Sequence, residues 1–132
     1  MQYKTDLKEK FTVVTFLDAS ITSNSVPEIN ELTQKILSQS PKNLVVNCGQ
    51  VKQWDPSIIA VLANAQQQFY DNNASFVICA LSDTLQKGID DSEFAEMMNL
   101  TPTETEAWDI VQMEEIEREL LDSDDMEFSA EI

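Results

Sequence analysis

Three short runs rich in β-branched and aromatic residues constrain this chain more than anything else in it: FTVVTF at 11–16, LVVNC at 44–48 and SFVICA at 75–80. Each is nearly continuous in apolar residues, as expected of a strand covered on both faces. Helix-periodic segments lie between them. Strands that alternate with helices require a mainly parallel sheet joined by right-handed crossovers. Tyr3–Leu7 adds a strand at one edge.

The helical segments carry their own punctuation. Ser25 and Glu28 have capping-box spacing, with Pro27 tolerated in the first turn, and Val26, Ile29, Leu32 and Ile36 recur at helical intervals before Pro41. Asp55-Pro56-Ser57 reads as an N-cap followed by proline at the first helical position. Ile58, Leu62, Ala65 and Phe69 then line one face. A weaker helix is expected over Thr84–Asp90, compromised by Gly88, and a last short strand over Met97–Leu100. Thr103 and Glu106 form a second capping box. It opens a helix through Leu121 with Ala107, Ile110, Met113, Ile116 and Leu120 roughly on one side. The fold class predicted is α/β: one domain over 1–121 with a mixed, mostly parallel sheet in the order β-β-α-β-α-β-α-β-α, covered by helices. Residues 122–132 read as an acidic, disordered tail.

Composition narrows the chemistry. The 132 residues hold 8 Lys+Arg against 24 Asp+Glu, a net charge of −16, which disfavours nucleic acid and anionic lipid. Residues 1–89 are nearly balanced, with 8 acidic and 7 basic side chains. Residues 90–132 hold 16 acidic side chains and Arg118 as the only base. There is no histidine, which removes Ser-His-Asp, Cys-His and the common zinc chemistries. Gly49 and Gly88 are the only glycines, so no phosphate-cradling loop can form. Asp122-Ser123-Asp124 fails as a calcium loop, because Met126 and Glu127 stand at its fifth and sixth positions. Glu114, Glu115, Glu117 and Glu119 read as a solvated face, and Met97, Met98 and Trp108 as packing. Cys48 and Cys79 read as buried, reduced thiols. The segment Pro56–Tyr70 is too short and too polar to span a bilayer, and the first ten residues have no apolar signal region. The expectation is a cytoplasmic protein that is not an enzyme and needs no metal or cofactor.

One place supports two readings. Asp55 can serve simply as a cap for the second helix, with Ser57 a compatible neighbour. Alternatively, Ser57 is a hydroxyl held beyond the carboxyl end of a parallel strand, where open α/β sheets place functional groups. A phosphate there would bring about two negative charges next to Asp55 and to anything docked on that surface.

The strand Leu44–Asn47, the segment Gln50-Val51-Lys52-Gln53-Trp54-Asp55-Pro56-Ser57 and the strand Ser75–Ala80 resemble, in order and spacing, the STAS domains of anti-sigma-factor antagonists and of sulfate transporters. Asn99-Leu100-Thr101-Pro102-Thr103-Glu104 and the helix after it are similar to stand-alone members of Bacteroidetes type. The resemblance covers about residues 1–121. It implies a partner-switching module: a protein that binds an anti-sigma factor which is also a serine kinase, is released by phosphorylation at the start of the second helix, and is restored by a serine phosphatase. Against the family's D-[ST]-[ST]-G signature, Asp55 matches the aspartate and Ser57 the phosphoacceptor, while Pro56 and Ile58 replace the first hydroxyl residue and the glycine. A β-branched Ile58 should obstruct a partner's backbone. In the loop after the second strand, Ala19-Ser20-Ile21-Thr22 replaces G-x-[LI]-D, so Thr22 stands at the acidic position. Gly88 and Asp91 occupy positions where members carry apolar residues, which should loosen the third helix.

These readings converge on a regulatory protein-binding module. Its partner surface is predicted at Trp54, Asp55, Pro56, Ile58, Ile21 and Thr22, with Ser57 as phosphoacceptor. The alternatives are a constitutive scaffolding domain, with the acidic C-terminal arm as a candidate contact, and a weak nucleotide or small-ligand site near the same helix.

Overall fold

The computed structural model describes the backbone of residues 1–131 and the side chains of residues 1–121. Strands β1 (Tyr3–Leu7), β2 (Phe11–Phe16), β4 (Asn43–Asn47), β6 (Phe76–Cys79) and β7 (Leu100–Thr101) form one sheet in the order β1-β2-β4-β6-β7. Only β1 runs antiparallel to its neighbour, pairing Tyr3 with Phe16 and Leu7 with Thr12. The others are parallel, with Val14 beside Val46 and Val46 beside Ile78. The predicted mixed, mostly parallel sheet is therefore present.

The period of two along each strand sorts its side chains between two cores. Val14, Phe16, Leu44, Val46, Phe76 and Ile78 face one way. They meet Ile29, Leu32 and Ile36 of α1 (Val26–Leu37), Ile58, Leu62 and Phe69 of α2 (Pro56–Asp71), and Leu85 and Ile89 of α3 (Asp83–Asp90). Phe11, Val13, Val45, Val77 and Cys79 face the other way, onto Ala107 and Val111 of α4 (Glu104–Glu131). The Phe69 and Phe76 rings, 5.2 Å apart and tilted at 60°, add about 1 kcal/mol beyond the area they bury.

Several expectations need correction. Ser25 makes no side-chain cap to α1, because a 3-10 turn at Ser23–Ser25 leads into the helix and leaves Ser25 with helical backbone angles. The third helix starts one residue early, where Ser82 Oγ accepts a hydrogen bond from Leu85 N–H at 3.2 Å. Despite Gly88, it is a formed helix with Leu85 and Ile89 buried. The last strand lies at Leu100–Thr101, and Ala95–Met97 before it is a 3-10 turn. Thr103 does cap α4, its Oγ1 accepting from Glu106 N–H at 3.2 Å. The side of α4 expected to pack together is divided. Ala107 is buried and Ile110 partly so, but Met113, Ile116 and Leu120 are 60%, 54% and 55% exposed. The expected disorder of 122–132 falls outside the side chains described. No helix among the described residues is long and apolar enough to cross a membrane.

Candidate functional site

Two segments distant in sequence become one surface at the start of α2. Ser20–Ile21 (β3) and Gln53–Trp54 (β5) form a small parallel ladder, with Ser20 beside Gln53 and Ile21 beside Trp54. Backbone bonds from Lys52 N–H to Ala19 O (2.7 Å) and from Asp55 N–H to Ile21 O (3.1 Å) extend it. Two-residue strands carry no readable periodicity, and this ladder is the feature sequence reasoning missed.

Asp55 completes the junction, though not in the way expected. It sits at the N-cap of α2 with extended backbone angles, but its carboxylate makes no cap hydrogen bond to that helix. Its Oδ2 instead accepts from Ser23 N–H at 2.8 Å, 32 residues away. The charge that would have satisfied one helix start ties the 3-10 turn of the neighbouring loop to the other. The Asp55 backbone carbonyl accepts from Ile58 N–H at 2.9 Å, and Pro56 has no N–H to satisfy.

The predicted site residues divide by exposure. Thr22 and Pro56 are exposed, and Trp54 and Asp55 are half-buried at the surface. Ile58 and Ile21 are corrections: they are 0% and 1% exposed and belong to the core beneath α1 and α2. The first turn of α2 points Ile58 inward, so it neither contacts a visitor nor obstructs one. The obstruction expected where isoleucine replaces the glycine does not arise, because the side chain fills space between sheet and helix.

Ser57 lies between these extremes. The residue is half-buried, yet its Oγ is enclosed and has no hydrogen-bond partner among the described residues. It borders an open groove of about 720 Å³ between α2, β5, α3 and the segment 92–94, lined mainly by apolar atoms of Trp54, Pro56, Ile59, Leu85 and Phe94. Gly88 also borders it. The groove lay beyond sequence reasoning, since its walls come from segments as far apart in the chain as Gln53 and Phe94.

The remaining chemistry is sparse. Among the described residues no group of His, Cys, Asp and Glu could hold a metal ion. Cys48 and Cys79 are buried free thiols. Burial pushes both thiols up from their ordinary range, and Glu104 adds to the rise at Cys79. The site has an anchoring carboxylate, a hydroxyl and apolar walls, which suit it to holding another chain.

Comparison with known proteins agrees with this fold. The family model described as STAS domain matches residues 4–107. The chain is similar in structure to an anti-sigma-factor antagonist (STAS) domain protein from Planctomyces limnophilus, with a TM-score of 0.69 at 15% identity, covering 80% of this chain and 93% of that one. It is similar to RsbS from Moorella thermoacetica, with a TM-score of 0.65 at 16% identity, covering 85% and 96%. It is also similar to the Bacillus cell fate determinant SpoIIAA in its phosphorylated form, with a TM-score of 0.63 at 16% identity, covering 83% and 99%. At such identities the likeness establishes the fold alone. No curated protein matches the chain in sequence.

Proposed function

Because the chain belongs to the STAS domain family, we propose that it is a non-enzymatic regulatory module that docks a protein partner on the joined surface of the α2 start and the loop 19–25. The observation that carries this reading is the junction itself. A ladder of two short strands and the Asp55–Ser23 bond hold Thr22, Trp54 and Pro56 together beside an apolar groove. Apolar walls with a fixed polar rim are what a protein contact uses. By the family resemblance, the partner is a cytoplasmic anti-sigma factor of the serine-kinase kind, and the outcome is transcriptional control.

In this reading Ser57 is the phosphoacceptor. Its hydroxyl must first rotate out of its enclosure, and no hydrogen bond opposes that rotation. A phosphate would then place about two charges at the groove's edge beside Asp55 and repel the partner, until a serine phosphatase removed it. The enclosure of Oγ favours a second reading: the module binds constitutively and the switch has been lost.

The two are separated by capturing partners from the native cell with wild type, Ser57→Asp and Trp54→Ala, together with phosphopeptide mapping of the native protein. Loss of a partner with both variants, and phosphate on Ser57, supports the switch. Loss with Trp54→Ala alone, with Ser57 unmodified, supports constitutive docking. If thermal melting shows both variants folded and neither loses a partner, the docking surface is rejected.

A further inference from the structure

We propose that the outward face of α4 is a second docking surface, and that its occupant is a basic amphipathic helix of another protein. Met113, Ile116 and Leu120 follow one another at intervals of three and four residues, which places them on a single stripe. That stripe lies opposite the one by which Ala107 and Val111 pack on the sheet. The three side chains are 60%, 54% and 55% exposed. Isolated exposed apolar residues are ordinary, but a run at this spacing is the seam that a second helix fills with its own side chains.

The charge around the seam selects the occupant. Exposed Glu117 and Glu119 flank it at the two positions that face a partner helix across a coiled-coil seam. Arg118, the only base after residue 89, does not neutralise them, since it reaches back to donate to Ser75 Oγ at 3.3 Å. A second copy of this chain would set glutamate against glutamate, and anionic lipid would be repelled. Lysines or arginines flanking an apolar stripe would be attracted on both sides. The match to the family ends at residue 107, so the seam lies in a part of the helix that the family match does not reach.

The test uses the whole protein and a labelled synthetic helix about three heptads long, with Ile and Leu on its seam and Lys at the flanking positions. Fluorescence anisotropy should show saturable binding that weakens about tenfold or more with Ile116→Ser plus Leu120→Ser. It should weaken similarly for a peptide of equal charge scrambled to have no apolar face. Both replaced side chains are exposed, and an unchanged thermal melt verifies the fold of the variant. Equal binding by the scrambled peptide or by the double variant would reduce the effect to bulk charge and overturn the proposal. A homodimer in sedimentation, or uptake onto uncharged phosphatidylcholine vesicles, abolished by the same double variant would overturn it in favour of those occupants.

Discussion

A serine in the first turn of a helix can bond its own backbone, face water, or turn into the protein, and Ser57 takes the third course without finding a partner. An enclosed hydroxyl without a hydrogen bond is a net cost, so Ser57→Ala should raise stability by about 1 kcal/mol in urea denaturation. A loss of similar size would show that the hydroxyl is bonded after all. Asp55 teaches the same lesson from the other side. Its identity and position mark a helix start, and the helix does start there. Which donor its carboxylate takes was decided by Ser23, brought near only by the fold. Ile21 and Ile58 matched motif positions assigned to a partner surface, yet a motif position says nothing of which way a side chain points. Both point into the core.

Elements with many residues in phase were legible, and those without were not. The runs at 11–16, 44–48 and 75–80 hold the strands Phe11–Phe16, Asn43–Asn47 and Phe76–Cys79 to within a residue at each end, and the 29-32-36 and 58-62-65-69 spacings are buried faces of α1 and α2, because burial repeats along each element. β3 and β5 offer two residues each and so no period. α4 misled for a different reason: it carries small apolar residues inward and large ones outward, and periodicity alone cannot say which stripe meets the sheet. For α3, a Cβ built on Gly88 meets only Ile59 Cδ1, at an ordinary 3.8 Å. Gly88→Ala should therefore stabilise the protein by about 1 kcal/mol through helix propensity, read as a higher melting temperature. Destabilisation would show that the groove wall needs the glycine.

For the molecule as a whole, the sheet separates two cores, and the cysteines show how completely. Cys48 N–H donates to Cys79 O at 3.0 Å, yet the two side chains belong to cores on opposite faces. A disulfide between them would need the backbone to move. Burial raises both thiols above their ordinary value near 9, Cys79 to about 12 with help from Glu104. A raised acid holds its proton in the folded state while the unfolded chain releases it. Their contribution is thus intact below pH 9 and is lost as pH climbs from there towards about 12. Urea denaturation above pH 9 should show stability falling by roughly 1.4 kcal/mol per pH unit for each thiol, relative to a variant with Cys48→Ala and Cys79→Ala. Parallel pH profiles for the two proteins would contradict this.

The residues alone determined the order of the long helices and of the main-sheet strands, the parallel sheet and most of its core, because strand and helix periodicities are local consequences of burial. Tertiary structure alone decided where Asp55 bonds, which way Ser57, Ile58 and Ile21 turn, how the walls of the groove meet, and which stripe of α4 is left to solvent. Each of those depends on atoms contributed by a distant segment, and a linear pattern holds no record of what will stand opposite it.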